Sequence, residues 1–385
     1  MIRIIADDKI PFLKGVLEPF AEIIYLPVKD ITREITLNAD ALLIRTRTKC
    51  DVSLLKDTPV KFIGTATIGF DHIDTEYCEN HDIKWTNAPG CNSSSVRQYI
   101  AAALFKIVSE SRFSLKGKTI GIVGVGNVGS KIEKFARAMG MDVLLNDPPR
   151  ARKEGEKDFV CLEEILHESD IVTLHVPLNK SGEDRSWHLF DEKQFRMMKK
   201  GAWFINSARG EVVKTSALKE ALGMGRLSGA VLDVWEHEPA IDIGLMSETF
   251  IATPHIAGYS TDGKANGTSM VINSLSRYFK LPLNNWYPAD IPKPEKPLIL
   301  IDCPGKTEED IISEAVAHTY CIDEDDLNLR HNPSDFEKLR GNYGIRREFP
   351  AFTVRLKGGS NETRRMLNES GFNVEISGDR QQAED

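Results

Sequence analysis

Short apolar runs closed by polar or glycine-containing turns dominate the first part of the chain. Residues 2–6, 41–44 and 61–64 each read as a strand, with a helical stretch between the first two. This alternation predicts a parallel sheet with helices on both faces. From Ser94 the pattern changes to SSVRQYIAAALFKIVSE, whose small and apolar residues recur at helical spacing, a helix suited to carry the chain into a second domain. There the apolar strand 118–123 is followed by strand patterns at 142–145, 171–174, 203–206 and 229–232, and by Ile251-Ala-Thr-Pro-His255, with helical patterns between them. The rhythm predicts a doubly wound nucleotide-binding sheet. A helix over roughly 264–279 would then return the chain to the first domain, which makes that domain discontinuous.

Residues 282–297 (PLNNWYPADIPKPEKP) are proline-rich and lack period, as a linker does. Beyond them a small α/β domain of about 85 residues is expected, with strands at 298–302, 352–356 and 372–376 and helices at 307–320 and 362–370. The polar tail GDRQQAED is expected to be disordered. The domain boundaries expected are 1–96 with 259–284, 97–258, and 285–380.

A chain of 385 residues exceeds what one core serves, in keeping with several domains. The net charge of −8 is spread without a basic block, so nucleic acid is not an expected partner. No apolar run reaches the roughly 20 residues of a membrane span and MIRIIADDKI is not a signal peptide, so no membrane partner and a cytoplasmic location are expected. The six cysteines never form a CxxC pair, which argues against metal and for buried free thiols. Cys91, in a Pro-Gly-Cys-Asn turn, is the one placed to face a cleft, but it has no neighbouring base in sequence.

The strongest chemical signal is Gly124-Val-Gly126-Asn127-Val128-Gly129, because a strand precedes it and a helix follows. Gly124 would allow the tight turn, Gly126 the approach of a pyrophosphate, and Gly129 close packing of helix on strand. The acid expected about 20 residues further on is Asp147, which can accept the ribose hydroxyls and would repel a 2′-phosphate. NAD is therefore the expected cofactor. Arg150 and Arg152, which could soften that preference, are expected to be solvated.

Three stretches follow successive strands of the nucleotide domain: Asn206-Ser-Ala-Arg209-Gly210, Asp233-Val-Trp-Glu236-His-Glu238-Pro239 and Pro254-His255-Ile-Ala-Gly258-Tyr259. With the glycine fingerprint they resemble the D-2-hydroxyacid dehydrogenases over roughly residues 1–285. The resemblance implies a flavodoxin-like substrate domain and a Rossmann-type NAD domain; the C-terminal part resembles the dimerisation domain of one branch of the family, which implies a homodimer. It makes Arg209 the holder of the substrate carboxylate or C2 oxygen, His255 the proton acceptor and Glu238 its partner, with His237 a loop spacer. The chemistry suits these types, since histidine titrates near neutrality and arginine holds a carboxylate with two parallel bonds.

Further stretches resemble a branch of the family acting on a small phosphorylated sugar acid: Arg45-Thr46-Arg47-Thr48, Gly64-Thr-Ala-Thr67-Ile-Gly69, Ala88-Pro-Gly-Cys91-Asn92, Asp147-Pro-Pro-Arg150 and, near the C-terminus, Phe336-Glu-Lys-Leu-Arg340 to Arg346-Arg347-Glu348. By that likeness Arg45, Thr46, Thr67 and Tyr259 would meet the substrate, and Asp147, Val176, Ser207, Ala208, Asp233 and Gly258 would border NAD. Arg346 or Arg347, reaching across a dimer, would complete a phosphate pocket. Thr46, Val176 and Gln98 depart from the residues commoner in the family; none removes a catalytic group. Two rival readings stand beside this one: oxidation of 3-phosphoglycerate on the same core, and a non-enzymatic NAD-sensing corepressor.

Overall fold

The computed structural model describes residues 2–111 and 113–376. The expected disordered tail from residue 378 lies outside the described residues. By packing, the chain divides into two compact units, Met1–Asn92 with Ser260–Pro292, and Ser93–Tyr259 with Lys293–Asp385.

The first unit is built on five parallel strands, β1 (Ile2–Asp7), β2 (Ala21–Leu26), β3 (Ala41–Ile44), β4 (Phe62–Thr65) and β5 (Lys84–Thr86), in the order β2-β1-β3-β4-β5. This is the flavodoxin-like order, with its switch point between β1 and β3. The helical stretch expected after β1 is corrected: β2 occupies part of it. Every residue of β3 and β4 is buried, so their apolar runs are continuous, whereas edge strands β2 and β5 are mostly half-covered and carry a weaker pattern. The helix Thr261–Phe279 closes one face, its Val271, Ile272 and Leu275 packing with Ile4, Leu43 and Phe62. The helix thus belongs to the first unit although it follows the nucleotide sheet in sequence.

In the second unit six parallel strands, β6 (Thr119–Val123), β7 (Asp142–Asn146), β8 (Ile171–Leu174), β9 (Ala202–Asn206), β10 (Leu227–Leu232) and β11 (Ile251–Ala252), run β11-β10-β9-β8-β6-β7. The order reverses between β6 and β8, which places a ligand crevice outside their carboxyl ends. Helix α1 (Ser93–Ser111) is buried on nearly all sides and packs on α2 (Gly129–Ala138). That wrapping explains why its apolar pattern is broad and weakly one-sided.

The C-terminal part has a sheet of its own, with parallel strands β12 (Leu298–Asp302), β13 (Thr353–Lys357) and β14 (Asn373–Ile376) in that order. Helices α3 (Glu308–Thr319), α4 (Ile322–His331), α5 (Phe336–Gly341) and α6 (Asn361–Ser370) accompany it. The segment 282–297 forms neither helix nor strand. Although its sheet is separate, this part packs within the second unit: α3 lies against α1 and α6 against α2, and Tyr99, Phe105 and Phe135 share one core with Ile312, Val316, Phe349 and Leu367.

Candidate active site

The turn after β6 has the shape a dinucleotide needs. Gly124 has φ +90° and donates its N–H to Asn146 O at 2.8 Å. A Cβ on Gly129 would stand 2.1 Å from the Gly124 carbonyl oxygen, so only glycine lets α2 begin this close to the turn. Nothing lies within 4 Å of where a Gly126 Cβ would be: that face is open. The first turn of α2, with Asn127 and Val128 leading into it, presents amide N–H groups of the kind that bind phosphates.

Asp147 closes β7 beside this turn, its Oδ2 accepting the Val125 N–H at 2.8 Å and its Oδ1 the Arg150 N–H at 3.0 Å. A carboxylate so held keeps lone pairs for ribose hydroxyls. Arg150 and Arg152 are not simply solvated as expected. Arg150 pairs with Glu154 at 2.6 Å and donates to Val125 O, while Arg152 reaches Asp184 at 2.5 Å. Carboxylates one helical turn away and on the 183–184 loop take up both cations. Val176 follows β8 beside Gly124. Its neighbour His175, unremarked in the sequence, bonds Thr173 Oγ1 at 2.9 Å, and burial pushes its pKa down to about 3. Ser207 and Ala208 follow β9; the Ser207 Oγ is buried and, among the described residues, has no hydrogen-bond partner. An open glycine face, a helix start and an orphaned hydroxyl at the carboxyl ends of the strands fit a dinucleotide.

The three expected catalytic residues follow neighbouring strands β9, β10 and β11. Arg209 is fixed from both sides: Asn206 Nδ2 donates to its carbonyl at 3.0 Å, and its own Nη1 donates to Ala208 O at 2.7 Å. Glu238 accepts the Trp235 N–H through Oε1 at 2.9 Å and meets His255 Nδ1 through Oε2 at 2.7 Å. Burial would raise the Glu238 pKa, but the hydrogen bond and charge of His255, the Trp235 amide and Arg340 outweigh it and hold it below the usual value. With Nδ1–H donated to Glu238, the neutral ring of His255 presents Nε2 as its acceptor. His255 itself is in the left-handed region, φ +57°, and its N–H donates to Asp233 O at 2.7 Å. His237 is exposed.

Asp233, expected to border the cofactor, is 1 % exposed. Its Oδ1 accepts the Thr253 hydroxyl and the Ile256 N–H, both at 2.7 Å, and its Oδ2 accepts the Ala257 N–H at 2.9 Å. Tyr99 OH bonds the other side of Thr253 Oγ1 at 2.8 Å, so the loop carrying His255 hangs on a buried polar chain. Gly258 follows that loop, and Tyr259 stacks edge-on against Tyr343 with ring centres 5.9 Å apart and Arg340 over its face. Of Arg346 and Arg347, either of which was expected to reach across a dimer, Arg346 turns inward: it is 4 % exposed, and its Nη2 donates to Ile256 O and Ala257 O. Pattern reasoning missed His175, Thr253 and Arg340 as well. The Thr-Pro-His run was the one available signal among these.

In the first unit, Arg45 and Thr46 follow β3 and Thr67 follows β4. Arg45 is one-third exposed and pairs with buried Asp7, the last residue of β1, at 3.2 Å across the switch point. Thr46 is exposed. Thr67 Oγ1 lies 2.7 Å from Thr65 Oγ1 and donates to Gly69 O at 3.1 Å. Cys91 is buried, as are Cys50, Cys78 and Cys303, but Cys161 and Cys321 are exposed, against the expectation of buried thiols throughout.

Residues 96–257 match the family described as D-isomer specific 2-hydroxyacid dehydrogenase, NAD binding domain, and residues 293–371 match a domain of unknown function. The erythronate-4-phosphate dehydrogenase of Bacteroides thetaiotaomicron is 51 % identical over 354 residues, 92 % of this chain and 99 % of that one. This chain belongs to the erythronate-4-phosphate dehydrogenase family. A second family member, from Proteus mirabilis, is 39 % identical over 97 % of this chain and 99 % of its own. Among solved structures, the D-lactate dehydrogenase of Aquifex aeolicus, complexed with NAD and lactic acid, superposes with a TM-score of 0.61 at 28 % identity, over 72 % of this chain and 95 % of that one. The NAD+-bound 3-phosphoglycerate dehydrogenase of Entamoeba histolytica shares the fold, with a TM-score of 0.61 at 23 % identity over 72 % of this chain and 95 % of that one. The family is one of NAD-dependent dehydrogenases, so the cofactor is NAD and the corepressor reading falls.

Proposed function

We propose that this protein oxidises 4-phospho-D-erythronate to 3-hydroxy-2-oxo-4-phosphobutanoate in the synthesis of pyridoxal phosphate. The observation that carries the chemistry is the Glu238–His255 pair, 2.7 Å apart after β10 and β11 in a chain that matches family members over nearly its full length. His255 Nε2 takes the proton of the C2 hydroxyl as the C2–O bond becomes a carbonyl, and Glu238 stabilises the imidazolium that forms. Arg209 holds the carboxylate and opposes negative charge on the C2 oxygen. NAD, when bound, supplies the acceptor for the hydride leaving C2. Gly124, Gly126 and Gly129 cradle its pyrophosphate and Asp147 its adenosine ribose. Val176, Ser207, Ala208, Asp233 and Gly258 are assigned to its border. Arg45, Thr46, Thr67 and Tyr259 are assigned to the substrate, Arg45 as the cation for a phosphate or carboxylate.

The test is NADH formation from 4-phospho-D-erythronate, with 3-phosphoglycerate and unphosphorylated erythronate in parallel. Turnover confined to the first and reduced at least about 100-fold in His255→Ala is the expected outcome. A preference for 3-phosphoglycerate would reassign the substrate.

A homodimer formed through the C-terminal part is supported by exposed apolar side chains there: Leu300, on edge strand β12, is 66 % exposed and Ile345 67 %. Sedimentation should return twice the monomer mass, and Leu300→Asp should lower it; a wild-type monomer at micromolar concentration ends that reading. A cytoplasmic place of work is supported by six cysteines that are all unbridged. Among the described residues no helix is long and apolar enough to cross a membrane.

A further inference from the structure

The loop from Thr253 to Ala257 is gripped on both sides of the same two residues. Asp233 takes the N–H groups of Ile256 and Ala257 at 2.7 and 2.9 Å. The guanidinium of Arg346, delivered by the C-terminal part, takes their carbonyls at 3.0 and 2.6 Å. The same Nη2 also meets Ser95 Oγ, and that hydroxyl donates to Ala257 O at 2.8 Å, so α1 joins the grip. Three acceptors crowd one amino group with two hydrogens, which leaves at least one bond shared and the group wholly committed to this loop.

Tyrosine rings box in the rest of the guanidinium, although its Nε is buried and, among the described residues, has no hydrogen-bond partner. Its guanidinium lies 4.5 Å from the ring centre of Tyr320 and 5.5 Å from that of Tyr343, and Nη1 donates to Tyr343 OH at 3.3 Å. Both phenols donate to Asp325, at 2.8 and 2.7 Å, which supplies a negative charge behind the arginine. A buried arginine is costly unless its charge and donors are matched. Here the matching partners are the backbone of the loop that carries His255.

We propose that Arg346 is a positioning residue for the dehydrogenation: with Asp233 opposite, it fixes the peptide units next to His255 and so makes the C-terminal part a component of the catalytic apparatus. His255 has an unfavourable positive φ and, among the described residues, a single side-chain hydrogen-bond partner, Glu238, so its aim depends on the backbone that follows it. Loss of about 1 Å of precision at a general base costs on the order of 100-fold in turnover. The inference rests on the proposed role of His255.

Arg346→Lys and Arg346→Met are compared with the wild type by hydrogen exchange of the peptide containing residues 253–259, without ligand, and by turnover with NAD and 4-phospho-D-erythronate. Expected are exchange at least tenfold faster in that peptide with α2 and β6 unchanged, kcat lowered at least tenfold, the dissociation constant of NAD within twofold, and Lys closer to wild type than Met. Should Arg346→Met fail to fold, Arg346→Lys decides alone, by the same local exchange and kcat criteria. Wild-type exchange and kcat in Arg346→Lys would overturn the proposal, as would exchange raised evenly across the whole second unit, which marks a general structural role. A wild type inert toward the substrate counts instead against the proposed activity, and the exchange measurement still decides whether Arg346 fixes the loop.

Discussion

His175 closes β8 against the cofactor turn, and burial pushes it down to about 3, so the folded protein refuses a proton that the unfolded chain accepts near its ordinary value of about 6.5. Between those values the unfolded state binds more protons, and stability falls as pH falls, by up to about 1.4 kcal/mol per unit. Glu238 acts in the same direction but lower: its depressed native value gives stability that is present above the ordinary carboxylate range and is lost as pH falls through that native value. The melting temperature should therefore decline from about pH 6.5 downward, and His175→Asn should flatten the upper part of the decline while leaving the lower part. Calorimetry at half-unit steps checks this; parallel profiles for variant and wild type would count against it. The placement of Arg209, Glu238 and His255 after neighbouring strands was legible beforehand because their chemistry is distinctive and their order matches a family. The backbone bonds of Asp233 and Arg346 were not legible, because a charged side chain near a site looks like a ligand contact until the fold shows which backbone groups it meets.

The turn between β6 and α2 separates two demands on glycine. At Gly129 a methyl group would collide with the Gly124 carbonyl, so Gly129→Ala should lower both the melting temperature and NAD affinity. At Gly126 the added methyl meets nothing in the protein. Gly126→Ala should leave the melting temperature within about a degree while weakening NAD about tenfold or more, as expected where backbone and pyrophosphate must approach. Differential scanning fluorimetry with an NAD titration measures both; an unchanged affinity in Gly126→Ala would remove that face from the cofactor site. The central strands were readable because each is buried along most of its length, whereas β2 and β5 lie at edges. Helices α4 and α5 escaped for a related reason: α4 buries only Ile322 and Leu329, and α5 only Phe336, too few positions to draw a period among acidic and polar residues.

At the scale of the molecule, the C-terminal part and the nucleotide sheet share one core, so they should unfold in a single transition. A chain cut after residue 292 would expose the faces of α1 and α2 that α3 and α6 cover, and it should aggregate on expression. A soluble, NAD-binding 1–292 fragment, seen as a monodisperse peak in light scattering, would show that the core is not truly shared. A linker and a complete small sheet are visible in sequence, while the packing of one helix on another is not. The interrupted first unit carries a consequence for synthesis. Its strands leave the ribosome first, but Val271, Ile272 and Leu275, which complete one face of its core, follow about 180 residues behind Asn92. At about 5–20 residues per second that is a wait on the order of 10–40 seconds. During it the nascent β1, β3 and β4 show an unfinished apolar face, and a nascent-chain chaperone has its longest opportunity there.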